Sequence, residues 1–197
     1  MSQGGESVDP GEIGPRLFLL TPGAASGRDL ATSLDPALAG GGVAGVLIDT
    51  DDPRAAADIC RQRAVAWFTS DLERGLAHGA DGVLLDGRED IQAARDRLGD
   101  TRLIGASCGT SRHAAMVTGE AGTDFVAFGG ADHPLSKRLV DLVGWWSELF
   151  VLPCLALGRF DPHAAGVLAG AGADLIAVHL DGLEPEGLAR FRTAIGS

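Results

Sequence analysis

Carboxylates gather in a few short stretches of this sequence, at Asp49-Thr50-Asp51-Asp52, at Asp71 and at Asp86-Gly87-Arg88-Glu89-Asp90. Oxygens of this kind suit a hard cation. Two readings of Asp49, Asp51 and Asp52 stay open. They form an acidic mouth that binds a cation, or they are loop and helix-opening residues before Pro53. Taken by its type and place, Asp71 is a helix cap. Asp90 is a first-turn carboxylate that the helix dipole favours. His133 stands in a loop, and its ordinary pKa suits a general acid or base near neutrality, as a proton-shifting isomerase would need. His179 falls in an apolar strand and reads as a core or rim histidine. Ser107 reads as a cap for the turn that follows it, and Lys137 as a solvated lysine.

The elements that must position these residues alternate regularly. The densest stretch is Leu76 to Thr110, where a helix end, a strand, an acidic loop, a helix and another strand follow one another. Val83-Leu84-Leu85 is short and wholly apolar, as a parallel strand buried on both faces should be. Ile91, Ala94 and Leu98 recur at helical spacing. Strands are expected at Arg16–Leu20, Val43–Asp49, Val65–Ser70, Leu103–Ser107, Asp124–Gly129, Leu152–Gly158 and Leu175–Leu180 besides. Helices separate them, one of them expected over Leu135–Phe150, and Pro36 is expected to shorten or divide the first. Eight strands alternating with eight helices predict a single (β/α)8 TIM barrel over residues 16–197, behind a flexible tail at 1–15. An open doubly wound sheet is the alternative. HGADGVLL, AGTDFVAF and AGADLIAV form a weak internal repeat, as one supersecondary unit used several times would leave.

The chain has 197 residues, 45% hydrophobic, with a formal net charge of −11. That charge argues against nucleic acid and anionic membrane as partners. No apolar run has the length of a membrane span, and the first residues lack a signal-peptide pattern. Cys60, Cys108 and Cys154 are widely spaced and show neither a disulfide framework nor metal-site spacing. The cytoplasm is the expected compartment. Trp145 and Trp146 read as helix-packing or subunit-contact residues, which leaves a homo-oligomer open.

In order and spacing, several of these segments resemble the thiamine phosphate synthases and their thiazole tautomerase relatives. LFLLTP resembles the opening strand of that family, and GADGVLLDGREDIQAARDRLGDTRLIGASCGT its stretch of GADGVHLGQEDLP type running into IGVS. AGTDFVAFGG resembles GADYVGFGP, LPCLALGRF resembles IPVVAIGGI, and GADLIAVHL resembles GADGVAVVS. The resemblance implies a barrel that joins hydroxymethylpyrimidine diphosphate to thiazole phosphate, releasing pyrophosphate, with magnesium as cofactor and small phosphorylated substrates as partners. It implies Asp71 and Asp90 as metal carboxylates, with Glu89 competing for the second place. Ser107 matches the Ser after strand five, and Lys137 the Lys that would neutralise charge on the departing pyrophosphate. Backbone N–H groups near Gly158, and between His179 and Leu180, would hold the thiazole phosphate.

The departures from the family pattern are specific. Its Gln-x-Arg-x-Lys run after strand two is here Leu47-Ile48-Asp49-Thr50-Asp51, so two cations have become carboxylates. Ser70, a substrate-binding candidate, stands where the family has Asn, and Leu84 where it has His. Arg159 replaces the second Gly of a pair; its side chain can meet a phosphate or block the backbone cradle. The loop after strand six is Gly130-Ala131-Asp132-His133-Pro134-Leu135-Ser136 in place of Pro-x-x-x-Thr-x-Thr. The sequence therefore predicts a divergent transferase of this family. A non-catalytic binder of a small phosphorylated ligand, or an isomerase using His133, is the alternative.

Overall fold

The computed structural model describes residues 14–23, 25–87, 89–183 and 185–196. Thirteen of the fifteen residues expected to form a tail lie outside the described residues, as does Arg88 of the acidic loop. The elements run β1 (Arg16–Leu20), α1 (Gly27–Ala39), β2 (Val43–Leu47), α2 (Arg54–Gln62), β3 (Ala66–Thr69), α3 (Leu72–His78), β4 (Gly82–Asp86) and α4 (Ile91–Leu98). They continue with β5 (Leu103–Ser107), α5 (Arg112–Glu120), β6 (Phe125–Gly129), α6 (Lys137–Leu149), β7 (Cys154–Leu157), α7 (Pro162–Gly170), β8 (Leu175–His179) and α8 (Pro185–Ile195). Every strand pairs in parallel with its neighbour, and β1 pairs with β8, so the sheet closes into a barrel. The open-sheet alternative is excluded by that closure.

Two cores result from period-two alternation in strands that are buried on both faces. One lies between strands and helices. The other fills the barrel with Phe18, Phe68 and Phe125, and then Leu20, Leu84, Ala127 and Leu157 one inward position further along. The three rings pack with centroids 5.2–6.3 Å apart. Glycines make room for them. A Cβ on Gly82 would come within 2.4 Å of Phe68, and one on Gly105 within 2.2 Å of Phe125.

The internal repeat has a structural meaning. Asp81, Asp124 and Asp174 each precede an even-numbered strand. Their carboxylates accept the amides of Trp67, Ile104 and Cys154 at 2.9, 2.7 and 2.8 Å. Each Asp amide in turn donates to the carbonyl of that same residue. The repeated Asp therefore staples two strands together at their amino ends.

Several boundaries differ from the expected ones. Pro36 lies inside α1 without dividing it. It stands ten residues into the helix, on an exposed position. Ser107 is the last residue of β5, and Ser111 caps α5 through the Ala114 amide, so Ser107 is not the cap. α6 begins at Lys137, capped by Ser136, two residues later than the apolar pattern suggests. Trp146 is buried, stacks on Phe150 at 4.0 Å and donates its indole N–H to the Leu152 carbonyl. Trp145 packs against it, with the Arg112 guanidinium 4.5 Å over its ring.

Candidate active site at the carboxyl ends of the strands

Above the leucine layer the inward strand positions turn polar. Asp86, Ser107, Gly129 and His179 end β4, β5, β6 and β8, and the loops that leave those ends carry nearly all the residues singled out above. In barrels of this kind that end is the catalytic one.

On the β2–β3 side the acidic run is not a set of free charges. Asp49 Oδ1 accepts from the Thr69 hydroxyl at 2.7 Å and from the Ser70 amide at 2.8 Å, with Arg74 Nη1 at 3.5 Å. Asp52 accepts from Arg54 Nε at 2.7 Å and Nη2 at 2.9 Å. These hydrogen bonds pull its carboxyl down to about 2. Asp51 is exposed. Ser70, the residue directly after β3, is exposed.

Asp71 and Asp90 sit at corresponding places after β3 and β4. Each is a helix N-cap: Asp71 Oδ1 accepts the Arg74 amide, and Asp90 Oδ1 the Ala93 amide. Their second oxygens make no hydrogen bond among the described residues. Glu89 turns back and takes the Asp86 amide on Oε1 at 3.1 Å. Among the described residues no group of three or more His, Cys, Asp or Glu side chains is placed to hold a metal by itself. Two free carboxylate oxygens on adjacent strand ends instead suit an ion that keeps waters and substrate phosphate in its shell, as magnesium does.

On the β5–β6 side Ser107 is half-buried, in register with Asp86, and its carbonyl accepts the Gly87 amide at 2.8 Å. Lys137 opens α6 and is paired with both oxygens of Asp141 at 2.8 and 2.6 Å. With Thr110, Ser111, Arg112, Arg138 and Leu142 they line an open groove of about 770 Å³ between the starts of α5 and α6. His133 lies in the β6 loop with Nδ1 2.9 Å from the Pro134 carbonyl. In the neutral ring that contact assigns the proton to Nδ1 and leaves Nε2 as the basic nitrogen.

The β7–β8 end differs from a backbone phosphate cradle. The Arg159 amide donates to His133 O at 3.0 Å, and the Leu180 amide to Leu20 O at 3.0 Å. Gly158 packs so closely that a Cβ there would lie 2.4 Å from His133 O. The Arg159 side chain spans the opening, with Nη1 3.2 Å from Asp181 Oδ2 and Nη2 3.2 Å from His179 Nδ1.

Comparison with known proteins shows the family. The profile described as thiamine monophosphate synthase matches residues 17–180. The chain belongs to that family. It is 35% identical to the thiamine-phosphate synthase of Rhodospirillum centenum over 180 residues, covering 83% of this chain and 86% of the relative. It is 37% identical to that of Hyphomonas neptunium over 190 residues, 83% of each chain. Among solved structures, the thiamine phosphate pyrophosphorylase of Pyrococcus furiosus superposes with a TM-score of 0.76 at 21% identity. That match covers 92% of this chain and 95% of the other.

The family match covers every strand end where a matched residue was expected. Asp132 and Asp181 were not singled out from the sequence. Asp181 carried one signal, a carboxylate directly after the last strand. No described helix is long and apolar enough to cross a membrane.

Proposed function

We propose that this protein joins hydroxymethylpyrimidine diphosphate to thiazole phosphate, releasing pyrophosphate. The observation that carries this reading is the match to proteins named thiamine-phosphate synthase along most of both chains. The placement of Asp71, Asp90, Ser107 and Lys137 supports it, since all four leave the carboxyl ends of β3 to β6.

Magnesium fits here through the free oxygens of Asp71 and Asp90, with Glu89 close by, and would neutralise charge on the diphosphate. Lys137 exchanges Asp141 for the departing pyrophosphate. Exposed pairs at this spacing contribute only about 0.3–0.5 kcal/mol, so the exchange meets little resistance. Ser107 donates its hydroxyl to a diphosphate oxygen. Arg112 and Arg138 share the groove with Lys137 and add positive charge on the side opposite the reversed β2 loop.

The test is pyrophosphate release by the purified protein given both substrates and magnesium. Release is expected, and Lys137→Ala should lower kcat by about 100-fold, the usual loss for one preorganised stabilising group. No release from the wild-type protein would overturn the transferase reading. Thiazole phosphate that still raised Tm would then favour the binding reading, which the charge reversal at Asp49 and Asp51 supports.

A further inference from the structure

The amides of Arg159 and Leu180 already donate to the His133 and Leu20 carbonyls, so they are not free to cradle a phosphate at the β7–β8 end. What this end presents is a guanidinium. Arg159 is half-exposed and is held from three sides. Asp181 on the β8 loop lies 3.2 Å from Nη1, Asp132 on the β6 loop 3.5 Å from Nε, and His179 Nδ1 3.2 Å from Nη2. His179 Nε2 lies 2.7 Å from the Ala131 carbonyl. That contact makes Nε2 the donor in the neutral ring and leaves Nδ1 to accept from the guanidinium. The ring thus fixes the direction in which Arg159 points.

Distance decides how firmly the carboxylates hold it. Good charge-assisted N–H···O bonds run about 2.7–2.9 Å and are commonly bidentate. Those from Asp181 and Asp132 are longer and single. A phosphate offers the fork-shaped guanidinium two oxygens and more charge than a carboxylate. We infer that Arg159 is the phosphate-recognising group of this protein, replacing a backbone cradle, and that Asp181 is an internal carboxylate which phosphate must displace. Asp181 thereby sets the affinity, and His179 acts as a positioning residue. The inference deepens the proposed function and rests on it only for the identity of the phosphorylated substrate.

The experiment is titration calorimetry of the full chain with inorganic phosphate. Arg159→Gly should weaken binding at least about 10-fold, and Arg159→Lys, which keeps charge but loses the fork, by less. Asp181→Asn should tighten binding about 3-fold, a gain that misfolding cannot produce. Glu120→Gln, which removes the same charge at the far end of α5, should leave affinity unchanged. Unaltered or tighter binding in Arg159→Gly would overturn the inference, as would no gain in Asp181→Asn or no binding by the wild-type protein. Phosphate held through Arg159 without any pyrophosphate release would leave this inference standing and remove the transferase reading. Pyrophosphate release untouched by Arg159→Gly would do the reverse.

Discussion

Asp49 and Ser70 are joined across two strands: the Asp49 carboxylate lies 2.8 Å from the Ser70 amide and 2.7 Å from the buried Thr69 hydroxyl. The Asp49 carboxylate is therefore a structural tie between the ends of β2 and β3. Its charge is absorbed by an amide, a hydroxyl and the nearby Arg74.

Removing that tie strands a hydroxyl that is 0% exposed in Thr69. Asp49→Ala should cost about 1–3 kcal/mol, the penalty for an unsatisfied buried donor. Asp49→Asn keeps an acceptor and should cost less. Urea midpoints measure both, and equal midpoints for the two variants would refute the tie. Pyrophosphate affinity should rise in both variants, since each removes a negative charge from the mouth.

The staple at the amino end of β5 makes a separate prediction. Asp124 accepts the Ile104 amide at 2.7 Å and the Arg95 guanidinium at 2.6 Å on the same oxygen. Asp124→Ala should lower stability by about 1–3 kcal/mol, which for a domain of this size is several degrees in Tm. Because the staple lies at the end of the barrel away from the site, kcat well below Tm should not change. A drop in kcat at low temperature would show that the two ends are coupled.

The cysteines give a pH prediction. Burial is the largest cause that pushes the Cys60 and Cys154 thiols up to about 12, and it raises Cys108 as well. In the unfolded chain they ionise near 9. A folded-state value above the unfolded one contributes stability that is complete below pH 9 and lost as pH rises toward 12. The urea midpoint should therefore fall across that range. Alkylation should be slow in the native protein between pH 7 and 9, because the thiolate is the reactive form. Rapid labelling of any of the three at pH 8 without denaturant would contradict the burial.

Much of the barrel was legible because its signals are local. Val83-Leu84-Leu85 and its counterparts are short apolar runs, and each Asp of the repeat marks a strand start by type alone. The errors were also local. Pro36 was expected to disturb α1, and the shift of α6 from Leu135 to Lys137 followed from a cap, Ser136, that an apolar pattern does not register.

The site was legible in a narrower way. Residue types and order place Asp71, Asp90, Ser107, Lys137 and Arg159 after strand ends, and that is as far as a one-dimensional pattern reaches. What each side chain does there depends on partners 20 or more positions away: Asp49 with Ser70, Arg159 with His179 and Asp181. The sequence by itself determined the barrel, its family and the ring of candidate residues, because strand period, helix caps and spacing are short-range properties. Closure of the sheet decided the rest. It engaged the Leu180 amide with Leu20, tied Asp49 to the end of β3 and set the Arg159 guanidinium beside His179 and Asp181. Hydrogen-bond partners are chosen by distance in space, and only the folded chain sets those distances.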